Sequence, residues 1–241
     1  MTGTILNIIT VLIGGTIGLL FGNRLPERWS KTIVAGLGLF TAAMGTSMFL
    51  ETRNPIVVLG ALLLGGLLGE WWQIEDGLEN FGGWLQALAG RFSQDSGDGT
   101  GRERFIRGFL TASLVFCVGP MTILGSIQDG LSGDYQLLAI KSTLDGFAAI
   151  AFAASMGAGV LFSTLVILVF QGGISLLATQ LTALFPPELL QDAMIPEMTA
   201  AGGVLLIGIA ISSLLGLTKI RVGSFLPALA IAPLIAWFVN R

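Results

Sequence analysis

Long apolar segments dominate this chain of 241 residues. There are about eight of them, each close to the roughly 20 residues that a helix needs to cross a bilayer. Lipid offers the backbone no hydrogen bonds, so only helices or closed barrels cross it, and these segments lack the alternation of barrel strands. The sequence therefore predicts an all-α polytopic membrane protein with about eight transmembrane helices. The segments cover roughly residues 4–22, 31–50, 55–73, 107–128, 136–155, 157–182, 199–216 and 222–239.

The composition agrees with this class and narrows the chemistry. Charged residues make up 11% of the chain, against about 25% in soluble domains. The single cysteine, Cys117, excludes a disulfide within the chain, and the lack of histidine removes every Ser–His or Cys–His nucleophile pair. The net charge of -3 makes nucleic acid a poor partner. We expect a protein that has no cofactor and is not an enzyme.

The distribution of Lys and Arg predicts the orientation in the membrane. With the N-terminus outside, nine basic residues lie in inner loops and only Arg53, Lys141 and Arg241 lie on the outer side. Merging the fifth and sixth segments would weaken this bias, so an even number of spans is favoured and both termini lie outside. The nine inner residues are Arg24, Arg28, Lys31, Arg91, Arg102, Arg104, Arg107, Lys219 and Arg221.

The longest connection, residues 75–106, combines an amphipathic helix with a flexible tether rich in Gly, Ser and Asp. Apolar residues recur there at three- and four-residue steps, which is typical of a helix lying at the membrane interface. We expect this connection to anchor the chain at the inner surface. The apolar positions are Leu78, Phe81, Leu85, Leu88 and Phe92.

The first three helices resemble the last three. Residues 34–50 and 200–216 both have Ala-Gly at their second and third positions and lead to a short loop with Arg, and a glycine pair lies in the span before each. An offset of five helices would invert one repeat relative to the other, a frequent transporter design with the substrate site at the repeat interface. The predicted parts of this single membrane domain, 1–241, are repeat A (1–74), the interfacial helix and tether (75–106), the central hairpin (107–156) and repeat B (157–241).

Glycines at four-residue spacing occur in the first and third helices. In lipid, small residues let two helix backbones approach closely. These glycine faces predict close helix packing, and they make a homodimer an expected assembly. The glycines are Gly14, Gly18 and Gly22 in the first helix and Gly65 and Gly69 in the third.

A duplicated motif in the central hairpin supplies the candidate functional residues. Ser126-x-x-Asp129-Gly130 recurs as Ser142-x-x-Asp145-Gly146, and in a helix each Ser faces the same side as its Asp. A charge at the centre of a membrane helix costs about 2.5–3.5 kcal/mol, and oxygen ligands suit a hard cation or a proton. The predicted ion- or substrate-binding residues are Asp145, Asp129, Ser142, Ser126 and Gln171, with Gln128, Ser175, Asn7 and Lys141 as accessory residues and the metal, if any, unknown.

Structural interpretations of the same residues stay open. Ser142-x-x-Asp145 resembles a capping box that begins a helix. Lys141 lies four residues before Asp145, which is the spacing of a helical ion pair. Asp129 lies near the Gly133-Asp134 turn, where a charge at the outer interface would cost little.

Five stretches of the chain carry a family resemblance. They are GTILNIITVLIGGTIGLLFG, GSIQDGLSGD, STLDGFAAIAFAASMGAGVLFS, FQGGISLL and IRVGSFLPALAIAPL. They resemble the YdfK/YqgA-type bacterial membrane proteins, the family known as domain of unknown function 554, over nearly the whole chain. The resemblance implies a multi-pass protein of the bacterial inner membrane and names no substrate.

Three functional hypotheses follow. The first is a transporter or channel for a small cation or small solute, with the lipid bilayer and that ligand as partners. The second is a structural or partner-binding membrane protein that transports nothing. The remote third is an intramembrane aspartyl protease, whose usual Tyr-Asp and Gly-x-Gly-Asp patterns are missing here.

Overall fold

The computed structural model describes residues 1–22, 27–90, 99–117, 119–218 and 220–239. All regular structure in these ranges is helical. The helices are α1 (Thr2–Gly22), α2 (Glu27–Phe49), α3 (Pro55–Trp71), α4 (Ile74–Gly90), α5 (Gly99–Cys117), α6 (Pro120–Ser132), α7 (Gln136–Met156), α8 (Gly159–Leu184), α9 (Pro187–Leu189), α10 (Ile195–Ile209) and α11 (Ala228–Val239). Two π-helical segments, Leu190–Met194 and Ala210–Leu214, flank α10, and a 3-10 helix, Val222–Phe225, precedes α11.

Six helical segments of the described ranges are long and apolar enough to cross a membrane, and two bent helix pairs raise the number to as many as eight. The two bent pairs are α5 with α6, at 61°, and α3 with the first part of α4, at 64°. The prediction of an all-α polytopic membrane protein is therefore confirmed. The fifth and sixth segments are separate helices, because Gly157 turns the chain with φ 84°.

The most extensive helix contact joins α1 and α7. The glycines of α1 lie directly on backbone carbonyls of α7, and both residue numbers increase together, so the two helices run parallel. These glycines pack within the chain, and a homodimer stays a prediction. The contacts are Gly14 with Gly146, Gly18 with Ile150, and Gly22 with Ala154.

α3 runs antiparallel to α11. Gly65 lies against Ala228 at the start of α11, and Gly60 lies against Ile235 further along it. Residues 222–239 form one of the six candidate spans. Because α3 packs alongside most of the length of this span, we count α3 as a span of its own.

α5 and α6 together run parallel to α8. Phe105 of α5 lies against Gly159 at the start of α8, and Gly130 of α6 lies against Ala178 towards its end. The two short helices thus cover the length of one span.

Two predicted segments have different bounds in the structure. The segment at 107–128 is divided, because α5 ends at Cys117 and α6 begins at Pro120, which has no backbone N–H to continue a helix. The segment at 199–216 begins earlier, since the candidate span covers Leu190–Ser212.

α4 lies across the beginning of α5. Leu85 is buried with Phe105 and Phe109, whereas Trp84 is exposed. The amphipathic helix is therefore present, and its position at the membrane interface stays a prediction. Residues 91–98, most of the predicted tether, lie outside the described residues.

Candidate functional site: a buried aspartate cluster

Helices α1, α6, α7 and α8 enclose a group of buried polar side chains. α7 supplies Lys141 and Asp145 one turn apart, α6 supplies Asp129, α1 supplies Asn7 and α8 supplies Gln171. Each of the five residues is at most 7% exposed. We call these five residues the aspartate cluster. Sequence analysis predicted all of them, and the structure brings them together from four helices.

Asp145 is the centre of the cluster. Its Oδ2 accepts a 3.0 Å hydrogen bond from Asn7 Nδ2 and pairs with the ammonium of Lys141. Asn7 Nδ2 also donates to Gln171 Oε1 at 3.0 Å, and Gln171 Nε2 lies 3.4 Å from Thr4 Oγ1. The Asn7 amide thus connects three helices, α1, α7 and α8.

Asp129 contacts α1 one turn before Asn7. Its Oδ2 accepts a 3.1 Å hydrogen bond from the backbone N–H of Gly3 and lies 3.0 Å from the amino nitrogen of Met1. Both copies of the motif therefore direct their carboxylates to the same end of α1.

The serines of the motif do not contact the carboxylates. Ser126 donates to the carbonyl of Thr122 at 2.5 Å, and Ser142 donates to the carbonyl of Leu138 at 2.6 Å. Ser175 donates to the carbonyl of Ser126 at 3.0 Å, which joins α8 to α6. These hydroxyls satisfy backbone acceptors in the helices, so ligand binding by them would require a rotamer change.

Two further expectations are corrected by the position of the side chains. Ser142 lies inside α7, which begins at Gln136, so the capping-box interpretation is wrong. Gln128 is exposed and lies outside the cluster, because neighbouring residues point about 100° apart around a helix. Asp134 is exposed in the turn, where its Oδ1 accepts a 3.1 Å bond from the Gln136 N–H.

The cluster contains two buried oxygens that lack a hydrogen bond. Among the described residues, neither Asn7 Oδ1 nor Asp129 Oδ1 has a partner. An unsatisfied buried acceptor costs about 1–3 kcal/mol. The cluster therefore keeps acceptor capacity that the chain itself does not use.

An open cleft of about 550 Å³ lies beside the turn between α6 and α7. Asp129 and Asp145 are not among the residues that line it, so this cleft does not reach the carboxylates. The lining residues are Gly133, Asp134, Tyr135, Gln136, Ala139 and Ile140.

Sequence analysis missed one buried carboxylate, Glu197 at the start of α10. It is 2% exposed. Its Oε1 accepts 2.8 Å bonds from the backbone N–H groups of Arg53 and Asn54, and its Oε2 accepts a 2.5 Å bond from Thr52 Oγ1. The only signal was an acidic residue that directly precedes an apolar run, which is too common to indicate burial.

Residues 2–237 match the family described as "Protein of unknown function (DUF554)". The chain belongs to this family. The resemblance seen in the sequence is thus confirmed, and the match includes every residue of the aspartate cluster. The description assigns no activity to DUF554 proteins.

Two curated relatives match over almost their whole length. The "Uncharacterized membrane protein YdfK" of Bacillus subtilis (strain 168) is 28% identical over 244 residues, covering 100% of this chain and 97% of the relative. The "Uncharacterized protein YqgA" of Escherichia coli (strain K12) is 31% identical over 241 residues, covering 98% of each chain. No solved structure matches the chain.

Proposed function

We propose that this protein is a transporter or channel for a small cation or small solute, and that the aspartate cluster is its binding site. The observation that carries the proposal is the position of Asp145, a carboxylate buried within a candidate span and hydrogen-bonded to another helix. Ionisable residues inside membrane spans are expensive, and they usually mark ion or substrate pathways. Buried amides beside the carboxylate supply further oxygen ligands.

The arrangement of helices also supports this proposal. Asn7 belongs to predicted repeat A and Gln171 to predicted repeat B, and the hydrogen bond between them joins the two repeats. The repeat hypothesis makes α2 and α10 equivalent helices. These two helices are neighbours, since Gly45 of α2 lies against Gly203 of α10. Inverted repeats with a polar site at their interface are a recurrent transporter design.

The closed cluster corresponds, in this proposal, to an occluded state. The carboxylates are buried and the cleft beside the α6–α7 turn does not reach them. Alternating access would open the cluster by moving α1 and α8 relative to α6 and α7. The apolar helices and the basic inner loops support a bacterial plasma-membrane location with both termini outside.

A ligand panel tests the proposal. Alkali cations, amino acids and organic acids are added separately to purified protein, and the thermal unfolding midpoint is measured for wild type, Asp145→Asn and Asp134→Asn. We expect one class to raise the midpoint of wild type and of the exposed-turn control Asp134→Asn, with the rise lost in Asp145→Asn. If no ligand distinguishes wild type from Asp145→Asn, the binding role of the cluster is contradicted.

A structural or partner-binding role is the second candidate. It is favoured by one observation: each aspartate is already neutralised by an ammonium group of the same chain, Asp145 by Lys141 and Asp129 by the amino group of Met1. This candidate predicts that neutral substitutions of the aspartates change stability or complex formation without changing the response to any ligand.

A further inference from the structure

The most unusual contact in the cluster is the sharing of one carboxylate oxygen. Asp145 Oδ2 contacts the Lys141 ammonium and also accepts the Asn7 amide, and all three side chains are buried. We propose that Asp145 and Asn7 form a binding site for a monovalent alkali cation, and that the Lys141 ammonium fills this site when the cation is absent. This inference rests on the proposed transport function and names its substrate class.

The ligand chemistry selects an alkali cation. Asn7 Oδ1 is a buried oxygen without a donor among the described residues. The Asn7 amide now turns its Nδ2 to Asp145, and rotation of this amide would bring Oδ1 to a cation that replaces the ammonium. Gln171 Oε1 and Thr4 Oγ1 are the next oxygens in the same hydrogen-bonded chain. Carboxylate, amide and hydroxyl oxygens are the ligands that hard cations prefer.

The charge of the site selects a monovalent ion. Asp145 supplies one negative charge, which one alkali cation or one ammonium neutralises. A divalent cation would leave an uncompensated positive charge in a buried site, which is expensive. When Na⁺ or K⁺ takes the place of the Lys141 ammonium, the charge in contact with Asp145 is unchanged.

Lys141 has the properties of a tethered competitor. Its ammonium is a compact point charge on a flexible four-carbon stem, so it can change position without a change in the backbone of its own helix. Lys141 is 6% exposed and does not line the cleft beside the α6–α7 turn, so its ammonium can leave Asp145 only when the helices around the cluster move.

Removal of the competitor tests this site. The thermal unfolding midpoint of purified full-length protein is measured as NaCl or KCl replaces choline chloride at constant ionic strength. We expect the unfolding midpoint of wild type to rise slightly with one of these ions. For Lys141→Met, the apparent Kd for that ion should be roughly tenfold lower than for wild type, because no ammonium has to be displaced. Lys141→Met/Asp145→Asn should show no ion response, and Asp134→Asn should behave as wild type.

Equal ion responses of Lys141→Met and the double variant would overturn the inference. If Lys141→Met yields no folded protein, wild type is compared with Asp145→Asn instead. An ion response that persists in Asp145→Asn then overturns the inference. An Asp145-dependent response to an organic solute, with no alkali response in Lys141→Met, rejects this site and leaves the proposed function standing. Alkali binding without flux in liposomes rejects transport and leaves the site standing.

Discussion

Glu197 holds the connection between α2 and α3 from the neighbouring helix α10. Its carboxylate accepts hydrogen bonds from the backbone N–H groups of Arg53 and Asn54 and from the hydroxyl of Thr52. Hydrogen bonds to a charged group contribute about 1.5–3 kcal/mol each, and leaving their donors unsatisfied in a buried site is more costly than never forming them. Glu197 therefore fixes the start of α3 on α10.

Replacing Glu197 by Ala should destabilise the protein by about 3 kcal/mol, because three donors lose their acceptor. For a chain of this length that corresponds to a fall in Tm of roughly 6–12 °C. Glu197→Gln keeps one acceptor oxygen and should lose less. The measurement is thermal unfolding in detergent, with the exposed Glu188→Ala as matched control. Equal Tm values for Glu197→Ala and Glu188→Ala would show that this carboxylate does not hold the connection.

Some contacts within the aspartate cluster can be predicted from the sequence, and others cannot. The Lys141–Asp145 pair follows from four-residue spacing within one helix. The bonds of Asn7 to Asp145 and Gln171 join residues 138 and 164 positions apart. Sequence could identify these as polar residues in apolar segments, but their meeting depends on the packing of α1 against α7 and α8.

The packing of α1 on α7 depends on small residues. A methyl group added to Gly14 or Gly18 would overlap the backbone carbonyls of Gly146 and Ile150. Backbone atoms cannot move aside as a flexible side chain can, so the two helices would have to separate. This contact positions Asn7 beside Asp145, and it couples helix packing to the geometry of the cluster.

Gly18→Ala should therefore destabilise the protein by about 1–3 kcal/mol through overpacking. Gly173→Ala, in α8, is the matched control, because nothing lies within 4 Å of the added methyl group and Ala favours a helix. We expect a lower Tm for the first variant and an unchanged or slightly higher Tm for the second. Similar Tm values for both would contradict the close α1–α7 contact.

Breaks inside spans were harder to predict than the spans themselves. Hydropathy located all the long apolar segments, since each is about as long as the bilayer is thick. The predicted segment at 107–128 is divided at Gly119-Pro120, because proline lacks the backbone N–H that would continue a helix. The π-helical segment Leu190–Met194 has no comparable signal, so the start of that span was placed too late.

The complete bundle can be described as pairs of neighbouring spans. α1 runs parallel to α7 and antiparallel to α8, whereas α3 runs antiparallel to α11. At the aspartate cluster, Asn7 of α1 joins Asp145 of α7 to Gln171 of α8. The class of the protein followed from the long apolar segments and the composition. Which helices are neighbours did not, because apolar faces in lipid carry little pairing information. The inverted repeat stays a prediction.

Ion flux through liposomes tests the central claim most directly. Purified wild type, Asp145→Asn and the exposed-turn control Asp134→Asn are reconstituted at equal density, and uptake of Na⁺, K⁺ and protons is recorded against empty liposomes. The account predicts uptake of at least one of these ions by wild type and Asp134→Asn, and loss of that uptake in correctly folded Asp145→Asn. Uptake by Asp145→Asn equal to that of wild type would contradict the claim that the buried carboxylate binds the transported ion.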